Sequence, residues 1–313
     1  VTPEAPAALA AGPGGRLYLV DTERHQVLCY QPGIGFRVVV GSGRGGRSPD
    51  GTPALEAKLG LGWWSGLAVN GATVYFSDGD LVREVGPHGL LSTVAGGGNV
   101  VLGQRPLPAR EADMLGGGPY GLTIGRRGEL YMATGAGVYR LGSDGRLHWV
   151  VGEDKPLPRN WGGVYANPAI QNDFTNADHL ALDSRGDLFV AGGGGYGLYE
   201  RTSAGRLRFV EVLRAQGGAP GSVAAAPDGT VVAAYGLGLQ RLGPTGPPSQ
   251  VKANWPSLVG RSRFYASDPG FGVGVAVGAQ GQIYADTDSG DASPAQGLAE
   301  VLPTGQVQWL WSP

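Results

Sequence analysis

Leu122-Thr123-Ile124-Gly125-Arg126-Arg127-Gly128-Glu129-Leu130-Tyr131 is an apolar run, a tight turn, and a second run that opens on Leu-Tyr. The same arrangement returns around Leu17-Tyr18, Val74-Tyr75, Leu188-Phe189, Val231-Val232 and Ile283-Tyr284. Measured at the second residue of each pair (18, 75, 131, 189, 232, 284), the steps are 57, 56, 58, 43 and 52. A fixed period of this size marks a repeat architecture in which each unit needs its neighbours to bury its apolar face. Six units span the chain.

Each unit continues with two more alternating runs. After Tyr131 come Val138-Tyr139-Arg140-Leu141, the turn Gly142-Ser143-Asp144-Gly145, and Arg146 to Val151, a hairpin by alternation and by turn chemistry. The last unit repeats this with Leu298 to Leu302, Pro303-Thr304-Gly305, and Gln306 to Trp311. Four antiparallel strands taken six times predict an all-β, six-bladed β-propeller, whose radial repetition leaves only short sheet edges. The expected organisation is one domain over 1–313, with blades at about 7–41, 65–96, 120–152, 178–212, 221–252 and 273–313. Short helices are expected in the inter-blade loops: Pro53 follows Gly41 by the same offset as Pro108 follows Gly96, and Pro suits a first helical position.

Composition agrees and excludes other classes. Glycine (58) and proline (23) make up about a quarter of 313 residues, which rules out helical bundles. An apolar fraction of 42% and a net charge of −2 argue against disorder. No stretch approaches a membrane-spanning length, and Val1 to Gly14 lacks the basic start and apolar run of a signal peptide, as in a soluble chain or an excised mature segment. With 24 basic against 26 acidic residues, no general attraction to nucleic acid or anionic membrane is expected. Cys29, in the run Val27-Leu28-Cys29-Tyr30, is expected as a buried strand residue without a disulfide partner.

Leu17-Tyr18-Leu19-Val20-Asp21-Thr22-Glu23-Arg24-His25-Gln26-Val27 resembles the NHL repeat, with Asp21, Thr22 and His25 at matching places and Arg24 where the namesake asparagine stands. Thr93-Val94-Ala95-Gly96-Gly97-Gly98 and Val38-Val39-Val40-Gly41-Ser42-Gly43 resemble the blade ends of NHL arrays. The resemblance implies the propeller fold. It also implies likeness to the extracellular sensor domains of bacterial receptor serine/threonine kinases, and to six-bladed lactonase-type hydrolases and lyases.

The connections differ in length. With strands named A to D outward from the axis, the A–B and C–D links are tight turns, whereas most D-to-A links run about 20 to 27 residues, a length usually tied to function. D–A and B–C links emerge on one face, taken here as the upper one. That face also carries Trp63, Trp64, Trp161, Tyr165, Phe174, Trp255, Phe264 and Tyr265, side chains suited to peptide or sugar partners or to small cores under the loops.

At the channel mouth the repeat alignment places Ala7, Ser65, Tyr120, Asp178, Gly221 and Val273. Only the fourth unit sets two titratable groups there, Asp178 and His179, with Asn172, Asp173 and Asn176 close in sequence. An Asp–His pair suits a polar ligand or a general base with its orienting group. Because adjacent strand residues point to opposite faces, His179 buried between blades is the competing expectation. The candidate ligand-binding residues are Trp64, Ser65, Arg110, Tyr120, Trp161, Tyr165, Asn176, Asp178, His179 and Trp255.

Gly41-Ser42-Gly43-Arg44-Gly45-Gly46 has dinucleotide-loop spacing, but Pro49 and Pro53 follow and no βαβ unit does. Asp286-Thr287-Asp288-Ser289-Gly290-Asp291 lacks the order and closing Glu of an EF-hand loop. His25, His88 and His148 fall on a B–C loop, a C–D turn and a D strand and do not converge, so neither a metal nor a cofactor is expected. The leading expectation is a non-catalytic, extracytoplasmic sensor or interaction domain that takes a peptide, glycan or protein on its long-loop face. It would belong to a membrane-anchored receptor or a secreted protein, with no direct membrane insertion. The alternative is a lactonase-like hydrolase or lyase with its site near Asp178 and His179.

Overall fold

A computed structural model of the chain describes residues 1–62, 64–114, 118–152, 177–192, 197–210, 221–226, 228–235, 238–243, 249–252, 274–287 and 297–311. Blade 1 comprises β1 (Pro6–Ala11), β2 (Leu17–Asp21), β3 (Gln26–Gln31) and β4 (Gly35–Val40). Blade 2 comprises β5 (Leu67–Asn70), β6 (Thr73–Asp78), β7 (Leu81–Val85) and β8 (Leu91–Gly96). Three short strands follow, β9 (Val100–Val101), β10 (Leu107–Pro108) and β11 (Ala112–Asp113). Blade 3 comprises β12 (Leu122–Ile124), β13 (Leu130–Thr134), β14 (Gly137–Leu141) and β15 (Arg146–Gly152). Blade 4 comprises β16 (Ala177–Leu182), β17 (Leu188–Gly192), β18 (Gly197–Arg201) and β19 (Leu207–Val210). Blade 5 comprises β20 (Ser222–Ala225), β21 (Val231–Tyr235), β22 (Gly238–Leu242) and β23 (Ser249–Gln250). Blade 6 comprises β24 (Val275–Val277), β25 (Ile283–Thr287), β26 (Gly297–Val301) and β27 (Val307–Trp311).

Within each blade the four strands pair antiparallel in sequence order, so the protein is an all-β, six-bladed propeller. The six A strands touch in sequence around the axis, and β24 meets β1. Alternation puts apolar side chains on both faces of every sheet, and six buried clusters fill the six gaps between blades. Each fully buried Leu in them, such as Leu17, Leu28 and Leu147, contributes about 1.5–3 kcal/mol. Cys29 is wholly buried in the cluster between blades 1 and 2.

All four strands of blade 1 come from the start of the sequence and all four of blade 6 from its end. Among the described residues no strand is exchanged across the seam, and side-chain packing joins the ring there, with Leu9, Leu17, Leu19 and Leu28 against Ala276, Tyr284 and Leu298.

The first two long loops have a structural role. Pro53 bridges to Leu90, the Gly51 N–H donates to the Leu91 carbonyl and the Leu91 N–H to the Thr52 carbonyl, so residues 51–54 run along the outer edge of blade 2. β10 does the same along β15, giving blade 3 a fifth strand. Both additions cover a D-strand edge that would otherwise present unpaired backbone groups. The expected helices are three-residue 3-10 turns, Ala54–Glu56 and Ala109–Glu111, with Pro53 and Pro108 at their N-caps and not inside them. The chain turns back after Ala57 and Ala112 to bury Leu59 and Met114, so there is no length for an α-helix.

Gly41 and Gly96 end their D strands at φ 99° and 85°. A Cβ would be driven into the His25 carbonyl oxygen at the first and the Asp80 carbonyl oxygen at the second. Only glycine lets the departing chain pass so close to the B–C loop of its own blade. That contact is the physical content of the Val-Val-Gly and Val-Ala-Gly blade ends. Among the described residues no helix is long and apolar enough to cross a membrane.

Candidate channel-mouth site

Three successive residues from each A strand line a cavity of about 220 Å³ on the axis, for example Leu67, Ala68 and Val69, or Leu180, Ala181 and Leu182. Thr123 is the one polar side chain in this lining. Polar chemistry therefore has to be sought above the channel, where the A strands start.

Just before the first lining residue stand Ala8, Gly66, Gly121, His179, Ser222 and Gly274. Space is short in this ring. A Cβ on Gly66 would collide with the Tyr120 carbonyl oxygen of the next blade, and one on Gly274 would come within 3.1 Å of Leu9. Five blades therefore use small residues here and the fourth uses His179. Burial pushes the His179 imidazole down to about 4, so the ring is neutral at pH 7.

One step further up stand Ala7, Ser65, Tyr120, Asp178 and Gly221. β16 pairs Ala177 with Gly192 and His179 with Ala191, which makes Asp178 the extra residue of a β-bulge. β1 has the same irregularity at Ala7, the equivalent position. A bulge breaks the strict alternation of side-chain direction, so simple alternation does not decide how Asp178 and His179 are aimed.

Trp64, with 37% of its surface exposed, lies over Gly62 on the upper face. Ser65 is buried, and its Oγ accepts the Gly62 N–H at 3.0 Å, so its hydroxyl shapes the turn that presents Trp64. Tyr120 is half-buried, and its backbone N–H donates to the Ala133 carbonyl. Trp64 and Tyr120, in the segments that lead into β5 and β12, and His179, inside β16, thus stand near the upper ends of three consecutive A strands. On the other three blades the described residues there are Gly221, Ser222, Gly274, Ala7 and Ala8.

Arg110 does not reach the mouth. It sits on the outer 3-10 turn, paired with Asp50, and Asp50 also accepts the Thr93 hydroxyl of β8 at 2.8 Å. Partial burial works against the Asp50 carboxylate, but Thr93, Arg110 and Arg83 outweigh it and hold its pKa below the usual range. Trp161, Tyr165, Asn176 and Trp255 lie outside the described residues, as do Trp63, Asn172, Asp173, Val273 and most of the 286–291 segment.

The sequence reading missed how the carboxylates at the upper ends of the B strands are used. Asp21 accepts N–H groups from Glu4 (2.8 Å), Ala5 (3.3 Å) and Arg24 (3.2 Å). Asp78 accepts the Gly60 N–H at 2.6 Å and faces buried Arg83, whose Nη2 donates to the Ser48 carbonyl at 3.0 Å. Burial raises the Asp78 pKa despite these partners. Asp286 accepts the Gly274 N–H at 2.5 Å. Each carboxylate anchors the segment that leads into an A strand. The Asp that ends Leu17-Tyr18-Leu19-Val20-Asp21 was the available signal. Among the described residues, no three His, Cys, Asp or Glu side chains are grouped to hold a metal ion.

No family model matches the chain, and no curated protein matches it. Solved structures do. A streptogramin B lyase is 14% identical over 99% of this chain and 83% of its own, with a TM-score of 0.55. A gluconolactonase from Xanthomonas campestris is 13% identical over 99% and 88%, with a TM-score of 0.50. The extracellular domain of a protein assigned as a one-component system of B. thetaiotaomicron is 12% identical over 91% of this chain and 37% of that one, with a TM-score of 0.51. At this identity the likeness establishes the six-bladed propeller and leaves the NHL resemblance at the level of the fold.

Proposed function

We propose that the chain is a non-catalytic binding propeller, an extracytoplasmic sensor or interaction domain that takes a peptide, glycan or protein at the channel mouth. The supporting observation is the uneven mouth: Trp64, Tyr120 and His179 stand near the upper ends of three consecutive A strands, over a channel whose lining is aliphatic apart from Thr123. An exposed Trp64 with a half-buried Tyr120 on the next blade supplies aromatic contact area at small entropic cost. The described strand-end carboxylates hold backbone N–H groups and so contribute shape to the site. The likeness to an extracellular domain agrees with this reading.

A second reading, a lactonase-like hydrolase or lyase, is favoured by one observation. His179 stands next to Asp178 on a bulged strand, an imidazole beside a carboxylate, and two similar folds are a lyase and a gluconolactonase. Binding of peptide and oligosaccharide panels to the wild type, Trp64→Ala and His179→Asn, with product analysis of every bound compound, separates the two. Binding without turnover that is lost in Trp64→Ala supports the first reading. Turnover lost in His179→Asn replaces it with the second.

A further inference from the structure

At the lower end of each blade interface two C-strand positions meet across the gap, one from each blade. The first is held by Cys29, Glu84, Arg140, Glu200, Arg241 and Glu300, each paired in register with the second residue of the Leu-Tyr run on its B strand. The second, one residue further along the C strand of the following blade, is held by Val85, Leu141, Arg201, Leu242, Val301 and Tyr30. In five interfaces the second position is aliphatic or aromatic. Only between blades 3 and 4 is it charged, and there Arg201 stands opposite Arg140.

Strand register puts Arg140 and Arg201 on the facing sides of one gap between blades. Tyr131 and Arg140 are direct cross-strand partners, and Tyr131 packs with Leu182 and Tyr199 of blade 4. Arg201 is two residues beyond Tyr199 on β18, hence on the same sheet face, and its guanidinium lies beside Gly205 of the lower turn. Arg127, exposed on the β12–β13 turn, closes the lower rim. The Tyr131 phenol feels all three positive charges and one carboxylate, Glu129, which accepts the Arg127 backbone N–H. Among the described residues no salt bridge engages Arg127, Arg140 or Arg201, and Arg140 and Arg201 are both half-buried.

Two other blades differ in the C-strand partner of the tyrosine. Beside Tyr75 stands Glu84 and beside Tyr284 stands Glu300, so each phenol has a carboxylate neighbour. Beside Tyr131 stands Arg140. With Glu129 as the one carboxylate against three guanidiniums, the groove keeps an excess of positive charge, and half-buried like charges cost stability until a further anion completes them. Guanidinium forks with a phenol hydroxyl make the donor set that tetrahedral oxyanions take.

We propose that the lower groove between blades 3 and 4, built from Arg127, Tyr131, Arg140 and Arg201, is an oxyanion site for a phosphate group. It lies on the face opposite the channel mouth and is independent of the function proposed there. The test titrates the full chain with sodium phosphate against sodium chloride at matched ionic strength, following Tm and heat of binding. The expected result is a saturable, phosphate-specific rise in Tm, with affinity weakened about tenfold or more in Arg201→Leu, the loss of a charge-assisted contact. Leucine at this place already folds in blades 3 and 5, at Leu141 and Leu242. The exposed Arg127→Ala, which touches no core, serves as a second variant with a smaller loss. Vesicles of phosphatidylglycerol in phosphatidylcholine distinguish the source: sedimentation with wild type and not with Arg201→Leu assigns a lipid headgroup, and phosphate binding without sedimentation assigns a soluble phosphate. A Tm response equal to that in chloride, or unchanged in Arg201→Leu, overturns the proposal.

Discussion

The upper ends of the B strands and the lower groove between blades 3 and 4 treat buried charge in opposite ways. Above, Asp21, Asp78 and Asp286 are buried, and each spends its charge on backbone N–H groups within 3.3 Å. Below, Arg140 and Arg201 are half-buried and face each other, with no salt bridge among the described residues. A charge whose partners belong to the fold is part of the scaffold, and its removal costs stability. A positive charge that the described carboxylates balance only in part is a cost the fold bears without structural return, which is where function is expected to enter.

The comparison breaks most readily at Asp78. Asp78→Ala removes the anchor of Gly60 and leaves Arg83 buried with Asp50 at 3.4 Å as its remaining counter-charge. A loss of about 3–5 kcal/mol is expected in chemical denaturation, largely restored in Asp78→Ala/Arg83→Leu. Restoration would show that the unpaired guanidinium, and not the lost loop anchor, dominates the cost.

Gly66→Ala comes next, since its methyl group must push the Tyr120 backbone away. The expected cost is about 1–3 kcal/mol. Affinity at the mouth should fall as well, because the shift separates Trp64 from Tyr120.

His179 has a pH signature. Its folded pKa, about 4, lies below the ordinary histidine value, so between pH 6.5 and 4 the unfolded chain binds more protons than the folded one. Stability is therefore full above about pH 6.5 and declines as pH falls toward 4, by up to about 3 kcal/mol. Denaturation midpoints followed across this window should flatten in His179→Asn. The smallest expected effect is at the lower groove, where Arg201→Leu relieves like-charge repulsion and gains about 0.2–1 kcal/mol in phosphate-free buffer.

Much of this architecture was legible before any coordinates. The repeat at Tyr18, Tyr75, Tyr131, Phe189, Val232 and Tyr284 marks one residue of every B strand, and its phase correctly aligns the A strands. The hairpin read at Val138 to Val151 is β14 and β15 almost residue for residue. Alternation and turn chemistry are local, so a sequence displays them. The edge-covering role of residues 51–54 and of β10 was not legible, because it depends on pairing with the next blade. The pairing of Arg110 with Asp50 was not legible for the same reason, since it joins two loops far apart in sequence. The Arg140–Arg201 juxtaposition becomes visible in sequence only once the blade register is known.

The most direct test of the central claim compares wild type and Trp64→Ala on the same peptide and oligosaccharide panel, at a temperature where circular dichroism shows both folded. The account predicts a ligand that wild type binds without altering it and that Trp64→Ala binds about tenfold or more weakly, the effect of removing an aromatic anchor that the ligand covers. Equal binding by the two proteins, or chemical conversion of the bound compound by wild type, would contradict it.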